Sequence, residues 1–164
     1  MPTLELSTAW LDFNGHLTER RFLQLCGSGT EYLLSHLGIG NEYRGRGSFY
    51  TLETHLSHLG ELHAGDRVVV TTQVLSADEK RLHLFHVIRR EFAEKPAATG
   101  EQMLIHVDAP TGRSAPVQGM VRERIQELAE LHAHLPLPMQ AGAGIRMRLS
   151  RTPTSATTRE QVSR

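Results

Sequence analysis

The chain has a single cysteine, Cys26, so no internal disulfide can form. That excludes the disulfide-stapled secreted scaffolds and suits a reducing compartment. No sign of charge dominates: Lys and Arg number 18 and Asp and Glu number 18. The balance is uneven along the chain. Residues 141–164 hold five Arg and one Glu (+4), so residues 1–140 carry 13 basic against 17 acidic groups (−4). A mildly acidic body argues against a nucleic-acid groove. No apolar run approaches membrane-spanning length, and "MPTLELSTAW" lacks a basic, apolar signal pattern. The expectation is a cytoplasmic chain with no nucleic-acid and no membrane partner. What is present is ordinary for a globular protein: 39% apolar and 22% charged residues over 164 positions, enough for one domain with a real core.

From Leu17 onward, apolar or small residues recur at steps of three and four: Leu17, Phe22, Leu25, Cys26, Gly29, Tyr32, Leu33, His36 and Leu37. That spacing predicts one helix face, stopped by Gly38 and Gly40. Within it, "CGSG" (26–29) costs helix stability, and small residues on a buried face allow close approach to a sheet. The middle of the chain alternates as strands do, over 48–59, 67–75, 81–92 and 98–108, with "LELSTAW" as a further candidate. In 48–59 the alternation puts Tyr50, Leu52 and Leu56 on one face and Phe49, Thr51, Glu53 and His55 on the other. A second helix is predicted over 117–132, with Val117, Met120, Val121, Ile125, Leu128 and Leu131 on one side. Together these describe an α+β domain over 1–135, one long helix lying across a curved antiparallel meander, and a Pro/Gly/Arg-rich tail over 136–164 expected to be mobile.

Most familiar chemistry is missing. No serine sits in a Gly-x-Ser-x-Gly elbow, and "GIGNEY" and "GRGSFY" lack the third glycine of a dinucleotide loop. His55/His58 and His83/His86 are three apart in predicted strands, so each pair divides between two sheet faces. No metal centre is therefore expected. Cys26 reads as a small core residue. What remains is "WLDFNGHL" (10–17), with Asp12 at the mouth of the long helix. Asp12 and Asn14 are helix-capping types. Equally, a carboxylate beside the free N–H groups of a helix N-terminus could serve hydrolysis of an activated acyl group, those N–H groups stabilising the developing oxyanion. The residues alone leave cap and catalyst both open.

The Asp12-x-x-Gly15-His16 motif, a long helix and a closing run of strands resemble the hotdog-fold acyl-CoA thioesterases, in their 4-hydroxybenzoyl-CoA thioesterase-like branch, over about residues 3–135. The resemblance implies a curved antiparallel sheet wrapped around one central helix. It also implies Asp12 as the catalytic carboxylate and a backbone N–H near Thr18 or Glu19 as the oxyanion donor. The fuller wording "WLDFNGHL…GIG…SFYTLETHL…EL..GD.V" is similar to the betainyl-CoA thioesterases of carnitine breakdown. One departure is "GHLTERRF", where such proteins often carry "GHMN" followed by small or aromatic residues.

On that resemblance the substrate is an acyl-CoA, betainyl-CoA or another short-chain ester, with coenzyme A arriving as part of the substrate and no separate cofactor. Asp12 acts as nucleophile or general base, and Asn14 and His16 either orient it or fix the loop. A quaternary ammonium is held by aromatic faces and a carboxylate, which singles out Trp10, Phe13, Tyr43, Phe49 and Glu53. Lys80, Arg81, Arg89 and Arg90 are candidates for the CoA phosphates. Open sheet edges and an incomplete site imply a homodimer or higher homo-oligomer. Two rivals stand beside hydrolysis. One is a non-catalytic acyl-CoA-binding hotdog module. The other is a hotdog hydratase, whose Asp-x-Asn-Pro-x-His pattern is only partly met by "DFNGH".

Overall fold

The computed structural model describes residues 1–145. Of the tail expected to be mobile over 136–164, the part from 146 onward lies outside the described residues. The elements run β1 (Leu4–Glu5), a 3-10 turn (Thr8–Trp10), α1 (Glu19–His36), β2 (Gly47–His58), β3 (Arg67–Ala77), β4 (Arg81–Arg90), β5 (Ala98–Asp108) and α2 (Gly119–Ala133). No helix among the described residues is long and apolar enough to cross a membrane.

The five strands form one antiparallel sheet in the order β1-β3-β4-β5-β2. The expected meander holds for β3, β4 and β5, but β2 does not pair with its successor. It pairs with β5 at the far edge. Crossing three strand spacings takes roughly 14 Å, well within the reach of the connection 59–66, and Leu62 in that connection is buried as it passes. Chain neighbours usually pair in space, which is why the sequence pattern suggested a simple meander.

Strand β2 also departs from strict alternation. Its register with β5 shifts between Thr51 and Glu53, a bulge that inserts Leu52 as an extra residue. Beyond a one-residue bulge every side chain changes face. Phe49 therefore points inward with Thr54, which accepts from Gln102 Nε2 at 3.3 Å, while Glu53 and His55 turn to the opposite face. Tyr50 and Leu52, each 59% exposed, are thereby parted from Leu56, which was expected on their face and packs against the core.

Helix α1 buries Phe22, Leu25, Cys26, Gly29, Thr30, Leu33 and Leu34. Tyr32 and His36, expected on that face, are exposed. Leu17 lies outside the helix, bridged to Leu11, so counting it as the first helical position rotated the predicted stripe. Gly38, with φ +91°, ends the helix in the left-handed region that an L side chain avoids. The small residues do let α1 approach the sheet. A Cβ on Gly29 would lie 3.0 Å from Val70 Cγ1 and 3.1 Å from both His86 Nδ1 and Thr72 Oγ1. Across the interface, a Cβ on Gly100 would collide with Cys26 Sγ. Burial pushes the Cys26 thiol up to about 12.

The core divides into two clusters along α1. One gathers Leu6, Leu17, Phe22, Leu25, Leu62 and Ile88 around the start of the helix. The other gathers Leu33, Leu37, Tyr43, Phe49, Leu84 and Leu104 with Val121 and Ile125 of α2. Each buried leucine contributes about 1.5–3 kcal/mol. Met120 and Leu131, expected on the buried side of α2, are exposed because only the narrow stripe Val121, Ile125 and Leu128 meets the domain. Between the clusters lies a buried polar network. Thr30 Oγ1 donates to Gln102 Oε1 (2.8 Å), His86 Nε2 lies 3.1 Å from the same oxygen, and Thr72 Oγ1 lies 3.0 Å from His86 Nδ1. These bonds are mutually consistent when Nε2 carries the proton. Burial lowers the His86 pKa to about 4, so the ring is neutral.

In the last turn of α2, His132 Nδ1 accepts the Val74 N–H at 2.9 Å. The chain then crosses to the outer sheet face, where Thr99 Oγ1 donates to Gln140 Oε1 (2.7 Å) and Gly142 N–H to Glu101 Oε2 (2.8 Å).

Candidate active site

Leu11 and Leu17 pair as an antiparallel bridge and close the loop 12–16 between them. Asp12 N–H donates to His16 O (2.8 Å) and Gly15 N–H to Asp12 O (3.1 Å). Gly15 takes φ +80°, a conformation that explains the glycine at this position. The Asp12 carboxylate finishes the loop from its side chain: Oδ1 accepts the N–H of Asn14 at 2.8 Å and of His16 at 3.0 Å. Neither Asp12 nor Asn14 caps α1. The cap position is Thr18, which makes no side-chain capping bond. The N–H of His16, then that of Asn14, hold the Asp12 carboxyl below its usual range despite some desolvation. Among the described residues only Oδ1 is engaged, which leaves Oδ2 of an exposed, ionised carboxylate free.

The helix N-terminus opens two residues beyond His16. Thr18 N–H already donates to Trp10 O at 3.2 Å, and its hydroxyl donates to the same oxygen at 3.3 Å. Of the two expected oxyanion donors, Thr18 is thus committed and Glu19 is not. The first N–H groups of a helix lack intrahelical acceptors, so Glu19 and Arg20 present theirs outward, while Arg21 N–H turns back to Thr18 O (2.9 Å).

The remaining candidates scatter. Phe13, beside Asp12, is 97% exposed. Trp10 carries the Arg21 guanidinium 4.6 Å from its ring centroid, so one aromatic face is already taken by a cation. Tyr43 and Phe49 are buried in the other core cluster, where Tyr43 Oη lies 3.1 Å from His106 Nε2 and His106 Nδ1 donates to Ala115 O (2.9 Å). Within one chain they are not brought to Asp12. Glu53 shares the outer sheet face with His55, His83, Glu101 and Met103, lining a cavity of about 290 Å³ under Gly142–Gly144. Lys80 and Arg81 sit at one end of β4 and Arg89 and Arg90 at the other, roughly 30 Å apart by strand rise. Arg81 is paired with Asp78, and Arg90 with Asp66 (2.8 Å).

Two residues next to the loop were missed by sequence reasoning. Glu61 Oε2 lies 3.5 Å from His16 Nε2 and 3.9 Å from His63 Nε2. The two imidazoles lean together, with centroids 5.1 Å apart. As expected, the His55/His58 and His83/His86 pairs divide between faces: His83 meets Glu101 on the outer face and His86 is buried against Thr30. The cluster beside Asp12 is built across the chain, where local spacing gives no signal.

The family model of the thioesterase-like superfamily matches residues 6–125. The chain belongs to the thioesterase-like superfamily. A Pseudomonas aeruginosa betainyl-CoA thioesterase is 41% identical over 135 residues, covering 81% of this chain and 85% of that protein. An L-carnitine dehydrogenase/betainyl-CoA thioesterase of Rhizobium meliloti is 44% identical over 139 residues, which cover 84% of this thioesterase-like chain but only 28% of the relative. A Staphylococcus aureus protein solved in complex with CoA superposes with a TM-score of 0.81 at 26% identity, over 89% of this chain and 93% of its own. The curved sheet around α1 is the hotdog fold that the Asp-x-x-Gly-His resemblance implied.

Proposed function

We propose that the chain hydrolyses a short-chain acyl-CoA thioester, with betainyl-CoA as the favoured substrate, and that Asp12 performs the chemistry. The observation that carries this reading is the Asp12 loop: one carboxylate oxygen is fixed by two N–H groups, the other is free, and open N–H groups of α1 follow within a few residues. An exposed carboxylate held below its usual pKa stays ionised at neutral pH and is a weak base. The free Oδ2 is the atom placed for direct attack on a carbonyl carbon. Oδ2 would add to the thioester carbonyl, the Glu19 N–H would steady the tetrahedral oxyanion, and collapse of that intermediate would break the C–S bond, expelling CoA thiolate and leaving an acyl-Asp12 mixed anhydride. Water then cleaves the anhydride to the free acid and restores the carboxylate.

Substrate choice rests on the relatives, one of which is named a betainyl-CoA thioesterase, and on Phe13, whose exposed ring stands beside Asp12. Phe13 would receive the trimethylammonium group on its exposed ring. Strand β2 is an edge strand with Tyr50 and Leu52 exposed, so a second copy pairing there would make a homodimer and complete the acyl pocket. A cytoplasmic location fits this substrate, because CoA esters are intracellular metabolites.

The test is thiol release over a panel of acyl-CoA esters, with betainyl-CoA set against 3,3-dimethylbutyryl-CoA, which has the same shape without the charge. Turnover that favours the cationic ester tenfold or more supports the whole reading. Equal turnover keeps the hydrolase and removes the cation preference. Saturable binding without thiol release identifies a non-catalytic acyl-CoA-binding module instead.

A further inference from the structure

We infer that His16, Glu61 and His63 form a binding site for a divalent transition-metal ion of the zinc type. Their ligand atoms, two imidazole nitrogens and one carboxylate oxygen, all lie within 4.8 Å of one another. A tetrahedral zinc with bonds of about 2.0–2.1 Å holds its ligand atoms roughly 3.3–3.4 Å apart. The 3.5 Å and 3.9 Å separations from Glu61 Oε2 already approach that figure, and small rotations of the exposed Glu61 and the two half-exposed imidazoles close the rest. Two imidazoles and a carboxylate suit zinc, cobalt or nickel rather than magnesium or calcium, which prefer all-oxygen sites.

Three further features distinguish this cluster from a chance meeting of surface side chains. First, the tautomer of His63 is set. Its Nδ1 lies 3.1 Å from Gly15 O, and a carbonyl can only accept, so Nδ1 carries the proton and Nε2 faces Glu61 with a lone pair. A backbone carbonyl on the second ring nitrogen is how protein metal sites orient their histidines. Second, the two segments are stapled together: Leu17 N–H donates to Leu62 O at 2.8 Å, and both leucines are buried. His16 precedes one buried leucine, while Glu61 and His63 flank the other. Third, the turn is braced without consuming the ligands. His63 N–H donates to Asp66 Oδ2 (2.8 Å), and Arg90 Nη2 donates to the backbone carbonyl of Glu61 (2.8 Å), leaving the Glu61 carboxylate to the histidines.

An ion bound there would clamp the connection 59–66 to the Asp12 loop, since the His16 N–H holds Asp12 Oδ1. The site stands on this geometry alone and is independent of the hydrolase reading.

The test uses the intact chain and the metal alone. Titration with Co2+ should give a visible d–d absorption band that saturates at one equivalent per chain and is displaced by Zn2+, and Zn2+ should raise the melting temperature. His63→Ala and Glu61→Gln should each weaken binding at least tenfold, and the double variant His16→Ala/His63→Ala should abolish the band while circular dichroism stays unchanged. His83→Ala, altering the other His–Glu pair, should bind as the parent does. Absence of a saturable band in the parent overturns the inference. So does a band that survives in the double variant, or one lost in His83→Ala alone.

Discussion

Two histidine environments in this domain share their chemistry and differ in almost everything else. His86 is fully buried between α1 and the sheet, and both ring nitrogens are satisfied by Thr30, Thr72 and Gln102. His16 and His63 stand half-exposed beside the Asp12 loop, each with Nε2 turned toward one carboxylate. The buried ring is closed off: every polar atom is used inside the protein, and bringing a charge there is costly. The exposed pair keeps unused ligand capacity and access to solvent. Reactivity in this fold is therefore to be sought where polar atoms stay free, and burial of a polar group is a poor guide to it. The network around His86 is architecture that uses polar atoms, whereas the loop around Asp12 leaves polar atoms unspent.

Mutation probes that contrast, starting where the effect is largest. Asp12→Asn keeps the acceptor for Asn14 and His16 N–H but removes the ionised oxygen, so turnover of the preferred acyl-CoA should fall by about 10²-fold or more. Its melting temperature should stay within about a degree or two of the parent. Near-normal turnover would make the loop architecture too. In the buried environment the outcome reverses. His86→Ala should cost about 3 kcal/mol through a cavity and orphaned partners, lowering the melting temperature by roughly 6–12 °C for a domain of this size. His63→Ala, at the surface, should shift stability by no more than about 0.5 kcal/mol without metal.

Acid should separate the two environments as well. The His86 pKa falls from 6.5 to about 4 in the fold, so the unfolded chain binds the extra proton first. Stability is then complete above pH 6.5 and declines as pH drops toward 4, by up to about 3 kcal/mol. Burial lowers the His132 pKa too, adding a loss of the same sign. Denaturant midpoints measured across that range should slope downward in the parent and flatten in His86→Leu. A matched pair on α1 probes the packing between helix and sheet. Gly27 has open space where an added methyl group would stand, so Gly27→Ala should stabilise by about 0.5–1 kcal/mol. Gly29→Ala forces Val70, Thr72 and His86 apart and should destabilise by about 1–3 kcal/mol. Equal effects in urea titrations would show that the close approach of helix and sheet is not limiting.

How much of this was legible in the sequence follows a physical division between local and non-local information. β5 could be bounded at 98–108 because a polar turn precedes it and alternation persists through it. Gly38 announced the end of α1 for a local reason as well. The bulge at Leu52 could not be read, since one extra residue changes no composition yet exchanges the two faces of the strand. Pairing of β2 with β5 is a long-range choice made by the closing core. At the candidate site, residue types indicated that Asp12 would accept backbone N–H groups, but the donors turned out to be its own loop rather than the helix. The approach of Glu61 and His63 to His16 depends on Leu17 meeting Leu62, a contact with no trace in either segment alone.

The seat of Cys26 has a kinetic meaning. Its sulfur occupies the space that any side chain at position 100 would need, and its proton is held so firmly that almost no thiolate exists at neutral pH. Neither an added oxygen nor a labelling reagent fits while α1 rests on β5. Modification can therefore proceed only during excursions that lift the helix. The one sulfhydryl of the chain is thus a clock. The rate at which a thiol reagent consumes it, measured under native conditions, counts how often the centre of the domain comes apart.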